Sequence, residues 1–162
     1  MISYVGLVSP VTNIISLVNG FITYNTPSYY RGEVFNNVHF KVKNGKIIEA
    51  SSDNTDKLNE ILDIDEGARY FGEFAFGVNT MIKEPMMDIL YDEKIAGSIH
   101  LTPGTAYPMA NNGNQSKIHW DLILRLSKEN GGGEVYFDDQ LVYKDGCFLD
   151  ADLKILNPIN RN

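Results

Sequence analysis

The chain has 162 residues, of which 43% are hydrophobic and 22% are charged. This is enough for one globular domain with a buried core and too little for two. The formal net charge of -7 excludes nucleic acid and anionic membrane surfaces as expected partners, because both would repel the chain. One cysteine, no long apolar run and no basic signal region predict a cytoplasmic protein without disulfides or a membrane span.

Residues 1–17 carry no recognisable pattern, and we expect the folded domain to begin at Val18 with a turn and then a strand over 21–24. The clearest local signal follows in two strand-like runs, 38–43 and 46–50, which flank an Asn-Gly pair. Both central positions of a type I′ turn need positive φ, so this pair predicts a two-residue hairpin with Val42 opposite Ile47.

Two short helices are predicted. The first covers 58–62, where apolar residues recur at helical spacing after the polar run 51–55 that can cap it. The second covers 85–96, with a proline in its first turn and Gly97 as its stop signal.

Between the helices, residues 68–77 alternate aromatic and small side chains and predict a strand. Gly72 and Gly77 indicate a bend or a close backbone approach in it. Glu73 is an acid among aromatics, so it must be paired, metal-bound or protonated, unless it reaches solvent from a sheet edge.

A further strand is predicted over 98–101, followed by a loop over 102–116 whose length is typical of functional or mobile loops. Near the C-terminus three strand-like runs predict an antiparallel meander: 134–137, 140–143 and 147–149. Residues from 157 onward are expected to form a tail, with 159–162 outside the domain. The fold class is therefore α+β, predominantly antiparallel sheet with two short helices, in one domain over 18–158.

The most regular pattern lies in 117–126, read as KIHWDLILRL. Taken as a strand, it places five apolar side chains on one face: Ile118, Trp120, Leu122, Leu124 and Leu126. The other face presents His119 and Asp121, two residues apart, which can share one metal ion or serve two neighbouring ones. The alternative is a half-exposed strand on which both side chains are merely solvated.

Four residues form the candidate ligand set: Glu73, His100, His119 and Asp121. Imidazole with carboxylate suits zinc, cobalt or manganese in an open, catalytic coordination. Two such metals bridged by a carboxylate can activate water and polarise a carbonyl, and Tyr107 on the long loop could donate to a developing oxyanion. His39 lies on a hairpin strand and is interpreted as structural.

Five longer runs carry a family resemblance: ITYNTPSYY, KLNEILDIDEGARYFGEFAFGVN, DILYDEKIAGSIHLTPGTAYP, NNGNQSKIHWDL and GGGEVYFDD. Over nearly the whole of 18–158 the chain resembles the C-terminal half of the aminopeptidase T / aminopeptidase S family, also called thermophilic metallopeptidases. The resemblance implies a metal-binding domain of a two-metal exopeptidase, with peptide substrates and a homodimeric assembly. It implies that Glu73, His100, His119 and Asp121 bind metal and that Tyr107 lies at the active centre. Asp92 and Glu93, in the DEK run, would be either groups that support the ligands or solvated helix-end charges.

Two departures from the family pattern matter. The family carries an N-terminal α/β domain that these residues do not include, and another metal-ligating glutamate is expected near Leu7. Glu33 resembles that motif in letters but lies after the YNTPSYY run, in the wrong place to substitute for it. We therefore expect a truncated aminopeptidase domain with weak activity, or none, when it is alone.

Two other functions remain open. The chain could be a non-catalytic dimerisation or interaction fragment of the same family, or a metal-dependent hydrolase acting on another substrate. Metal content separates the peptidase domain from the interaction fragment, because only the first needs stoichiometric divalent metal.

Overall fold

A computed structural model describes residues 18–108 and 111–158 of the chain. Within those residues the chain forms three three-stranded sheets, one two-stranded hairpin and two α-helices, and every strand pair in these sheets is antiparallel. The predicted α+β class with predominantly antiparallel sheet is confirmed. Residues 1–17 and 159–162, and with them Leu7, lie outside the described residues.

The N-terminal sheet has the strand order β1–β4–β5, formed by Gly20–Thr23, His39–Lys43 and Lys46–Ser51. The predicted hairpin is confirmed, since Val42 pairs with Ile47. Both turn residues have positive φ, 51° at Asn44 and 78° at Gly45, as a type I′ turn requires. A separate hairpin joins β2 (Ser28–Tyr30) to β3 (Glu33–Phe35).

Helix α1 spans Thr55–Leu62 and covers the N-terminal sheet. Its apolar face is buried through Leu58, Ile61 and Leu62, the spacing that brings side chains onto one side of a helix. The first predicted helix is confirmed, with its start three residues earlier than the apolar pattern indicated.

The central sheet has the order β6–β7–β8, formed by Phe71–Gly77, Ser98–Pro103 and Ile123–Arg125. Its strand β6 carries an irregularity between Phe71 and Glu73, at Gly72, where a Cβ would lie 2.3 Å from the Thr105 carbonyl oxygen. The close approach predicted from this glycine is therefore present, and it sets the register of the residues that follow.

The C-terminal meander has the order β9–β10–β11, formed by Glu134–Phe137, Gln140–Lys144 and Cys147–Phe148. It packs on the central sheet through aromatic rings. The ring centroid of Phe76 lies 4.8 Å from that of Tyr143 and 5.0 Å from that of Phe148. The central sheet is thus held from one side and can present its other face to the site.

The second predicted helix is wrong in extent, because α2 covers only Ile89–Asp92 instead of 85–96. Met87 has φ of 57°, which a helix cannot contain, and Asp88 caps the short helix by accepting a hydrogen bond from the Leu90 N–H. At the other end, residues 94–96 leave the helical path because their backbone pairs with Asn79.

The predicted strand over 117–126 is also shorter than expected. Its five apolar side chains are all buried, but regular pairing is confined to β8. Upstream, His119 forms only an isolated bridge to Gly104. The remaining backbone bonds are irregular, such as Trp120 N–H to the Pro103 carbonyl, because the loop before it returns against the end of β7.

The predicted tail begins too early. Asn157 is fixed to β11, since its side chain accepts from the Phe148 N–H and donates to the Phe148 carbonyl at 2.6 and 3.0 Å. Neither α-helix in residues 18–108 and 111–158 has the length and apolar character that crossing a bilayer requires.

Candidate metal centre

The candidate ligands lie on one face of the central sheet. On β6 and β7, Glu73 pairs with Thr102, and Ala75 pairs with His100. His100 also pairs with Ile123 of β8, and Asp121 lies two residues before Ile123. Residues two apart on a strand share a face, so the antiparallel register collects these side chains at one place.

Glu73, His119 and Asp121 form the first group, in which one ligand atom from each lies within 4.8 Å of the others. The His119 Nε2 atom is 3.3 Å from Asp121 Oδ1 and 3.7 Å from Glu73 Oε2. Its other ring nitrogen, Nδ1, lies 2.9 Å from the Thr105 carbonyl oxygen. A carbonyl only accepts, so Nδ1 carries the proton and Nε2 is the atom directed at the two carboxylates.

Glu93, His100 and Asp121 form a second group with the same spacing. His100 is 5% exposed, and its Nε2 lies 3.4 Å from Glu73 Oε1. Its Nδ1 atom is buried and has no hydrogen-bond partner among the described residues. An unsatisfied buried nitrogen is costly, and coordination to a cation is one way in which imidazole meets that cost.

Asp121 belongs to both groups. It is 2% exposed, and Thr102 Oγ1 donates to its Oδ1 at 2.6 Å. A carboxylate shared by two groups of ligands is the arrangement that can bridge two cations.

The electrostatics of the first group follow from this geometry. The hydrogen bond to Asp121 raises the pKa of His119 from 6.5 to about 9. Burial would raise the pKa of Asp121, but the hydrogen bonds from His119 and Thr102 outweigh it, so that pKa lies below its usual value. Without a cation, the pair is therefore an imidazolium beside a carboxylate, and a bound cation would replace the imidazolium proton.

The sequence pattern did not select Glu93 as a candidate ligand. Its neighbour Asp92 is buried and accepts a hydrogen bond from the Met86 N–H, so Asp92 is not a solvated helix-end charge. The Glu93 carboxylate pairs with Lys94 and also faces His100 and Asp121. Helical spacing could not reveal this, because the helix ends after Asp92 and the chain then turns towards β7.

Tyr107 lies on the loop after β7 and is 53% exposed. No hydrogen bond or ion pair in the described part of the chain joins it to the four predicted ligands. Its loop does reach the site through Thr105, whose carbonyl holds His119. His39, interpreted as structural, lies away from both groups and bonds to the Thr23 hydroxyl at 2.7 Å.

The segment that carries His119 and Asp121 is supported from behind by the β2–β3 hairpin. The Trp120 ring stacks on Tyr30 with centroids 4.6 Å apart, and its Nε1 donates to Ser28 Oγ at 2.8 Å. The Tyr30 hydroxyl donates to the His119 carbonyl at 3.3 Å. The ligand-bearing backbone is therefore held by the core, as a metal centre requires.

Sequence comparison identifies the family. Residues 12–148 match the model of the thermophilic metalloprotease family, M29. Because that match covers most of the chain, the protein belongs to this family of metallopeptidases.

Two curated relatives agree with this assignment. The chain is 30% identical to aminopeptidase 2 of Geobacillus stearothermophilus over 146 residues, which are 85% of this chain and 32% of that protein. It is 28% identical to aminopeptidase AmpS of Bacillus subtilis over 111 residues, 65% of this chain and 27% of that one. The chain thus spans about a third of the length of these relatives.

The fold also matches a solved structure, AmpT from Thermus thermophilus. The TM-score is 0.64 at 22% sequence identity, and the match covers 82% of this chain and 37% of that one. At this identity the likeness establishes the fold of the domain.

Proposed function

We propose that residues 18–158 form the metal-binding domain of an aminopeptidase that removes N-terminal residues from peptides. The observation that supports this best is the pair of ligand groups sharing Asp121 in a chain that belongs to a metallopeptidase family. The proposed ligands are Glu73, Glu93, His100, His119 and Asp121.

The chemistry of these donors fits two divalent cations. Three carboxylates and two imidazoles suit zinc, cobalt or manganese and provide no thiolate of the kind that structural zinc sites use. The orphaned Nδ1 of His100 and the carbonyl-held Nδ1 of His119 both favour ligation. When bound, divalent cations would supply the Lewis acidity that polarises a scissile carbonyl.

The protein groups have separate roles in this proposal. Glu73 and Asp121 would supply negative charge that attracts the free α-amino group of a peptide. Tyr107, on its exposed loop, would donate its phenolic proton in a hydrogen bond to the oxyanion that develops at the carbonyl. The buried face of the central sheet keeps the ligands fixed during the reaction.

We further propose that the 162-residue chain alone hydrolyses peptides weakly or not at all. It spans about a third of its aminopeptidase relatives, and the glutamate ligand that the family resemblance leads us to expect near Leu7 is replaced there by leucine. Robust release of amino acids from aminoacyl-nitroanilides by the purified chain, with cobalt or zinc added, would contradict this.

Metal titration tests the site itself. The chelator-stripped chain should bind cobalt stoichiometrically by calorimetry, and His119→Ala or Asp121→Ala should abolish tight binding. His39→Ala is the matched control, because that imidazole hydrogen-bonds to Thr23 on the N-terminal sheet and its loss should leave metal binding unchanged. Absence of stoichiometric binding by the wild-type chain would refute the metal centre.

The alternative role as a dimerisation fragment gives a different result. A metal-free protein that sediments as a tight dimer would favour it, whereas a metal-binding chain supports the peptidase domain whether or not it dimerises. We propose a homodimer in the cytoplasm, and sedimentation of the metal-loaded chain tests the assembly.

A further inference from the structure

Thr102 is a completely buried residue with ligand-bearing positions around it. It lies two residues after His100 on β7 and pairs with Glu73 on β6. Its side chain therefore shares the face on which the ligands converge. Valine and isoleucine are the usual occupants of such buried strand positions, so a hydroxyl here calls for a reason.

The hydrogen-bond partner of the Thr102 hydroxyl is a carboxylate. It donates to Asp121 Oδ1 at 2.6 Å, and a carboxylate is an acceptor only, so the direction of the bond is fixed. Hydrogen bonds to an ionised oxygen are among the strong ones. Both groups are almost completely buried, so water does not compete for this bond.

The hydrogen bond also gives the two carboxylate oxygens of Asp121 different surroundings. Its Oδ1 receives the Thr102 hydroxyl and faces His119 Nε2 at 3.3 Å. No hydrogen bond from the described residues reaches Oδ2. The carboxylate is thus held through Oδ1, and no hydrogen bond of the described residues constrains Oδ2.

We propose that Thr102 is a positioning residue, whose hydroxyl holds the Asp121 carboxylate in the orientation that serves both groups of ligands. This rests on the proposed function, because it concerns the same metal centre. Removing a residue that orients a metal ligand typically lowers the metal affinity 10–100-fold. The hydrogen bond to Asp121 comes from the Thr102 oxygen, so the proposal assigns this role to the hydroxyl and not to the methyl group.

The test is a cobalt titration of the chelator-stripped chain. Thr102→Val keeps the shape and removes the donor, and it should weaken cobalt binding about 10–100-fold. Thr102→Ser keeps the donor and should restore affinity to within about threefold of wild type, a difference worth less than about 1 kcal/mol. Thr26→Val is the matched control, because Thr26 is a buried threonine whose hydroxyl donates to Asn25 and its loss should change nothing.

A spectrum distinguishes positioning from simple packing. At saturating cobalt, the visible absorption of Thr102→Val should differ from that of wild type, since the carboxylate geometry at the ion has changed, while Thr102→Ser and Thr26→Val keep the wild-type spectrum. If Thr102→Val does not fold, Thr102→Ala compared with Thr26→Ala replaces it.

Three outcomes overturn the proposal. Wild-type affinity in Thr102→Val would show that the hydroxyl is dispensable. Equal losses in Thr102→Val and Thr102→Ser would show that the packing of the whole side chain, and not the hydroxyl alone, determines the affinity. Neither of these two outcomes would contradict the proposed metal centre. A wild-type chain that binds no cobalt would instead refute the metal centre, and this inference with it.

Discussion

The charge state of His119 decides how the centre responds to pH. Its imidazole is held on one side by the Thr105 carbonyl and on the other by Asp121, and the Asp121 hydrogen bond raises its pKa to about 9. A proton and a cation therefore compete for the same Nε2 atom over the whole physiological range. Metal ligation requires the unprotonated nitrogen.

We predict that the apparent cobalt affinity rises about tenfold per pH unit between pH 6 and pH 8, where His119 is protonated in the metal-free chain. About one proton should be released for each cation that His119 binds. Calorimetry in two buffers with different ionisation enthalpies measures that number. In His119→Ala the remaining binding should lose this proton release, and an unchanged release would assign the proton to another group.

The four candidate ligands could be selected from the sequence because they lie in strand-like runs and because longer runs resembled a known family. Their convergence needed the register of β6, β7 and β8, which no single stretch contains. Glu93 shows the limit, because its approach to His100 depends on a helix that ends after one turn. Met87 prevents that helix from beginning earlier, through a positive φ that composition does not reveal.

At the scale of elements, the backbone at the end of β7 packs closely against the segment that carries His119. Gly104 has φ of 103°, and a Cβ there would lie 2.1 Å from the Ile118 carbonyl oxygen. The same residue forms the bridge with His119. The loop that follows is tied down by Asn114, whose side-chain amide donates to the Gly104 carbonyl at 2.6 Å.

We predict that Gly104→Ala lowers the free energy of unfolding by at least about 3 kcal/mol and weakens metal binding, because the backbone must move His119 to make room. Gly113→Ala is the matched control: Gly113 also has positive φ, 90°, but open space around it. It should cost only about 1 kcal/mol, the strain of the left-handed conformation alone. Urea unfolding in chelator measures both, and equal losses would show that the contact with Ile118 is unimportant.

The helices and strands that were predicted correctly are those determined by residues close together in the sequence. The Asn-Gly hairpin, helix α1 and the C-terminal meander follow from turn residues and apolar spacing. The errors fall where tertiary pairing overrides a local pattern. Residues 94–96 pair with Asn79 instead of continuing a helix, and the segment before β8 follows the return of a loop instead of a sheet ladder.

At the scale of the whole molecule, metal binding should be linked to folding. The proposed ligands lie between residues 73 and 121, and the unfolded chain cannot hold them together, so a cation that binds only the folded state would stabilise it. Three carboxylates gathered in a chain of net charge -7 also repel one another until a cation neutralises them.

We predict that zinc at 100 times its dissociation constant stabilises the folded chain by about 2.7 kcal/mol, seen as a higher thermal midpoint. Asp121→Asn should lose this stabilisation, because Asp121 belongs to both groups of ligands. Glu49→Gln is the control, since its carboxylate pairs with Lys41 on the outer surface. An equal metal-induced shift in Asp121→Asn would place the cation elsewhere.

The strand order of the central sheet has a mechanical consequence. β6 and β8 each pair with β7 and not with each other. Glu73 comes from β6, whereas Asp121 comes from the segment that leads into β8. An ion held between Glu73 and Asp121 would cross-link the three strands. Removal of the ion by a chelator would then allow β6 and β8 to separate from β7 independently. Amide hydrogen exchange along β6 should therefore become faster before exchange in α1 does.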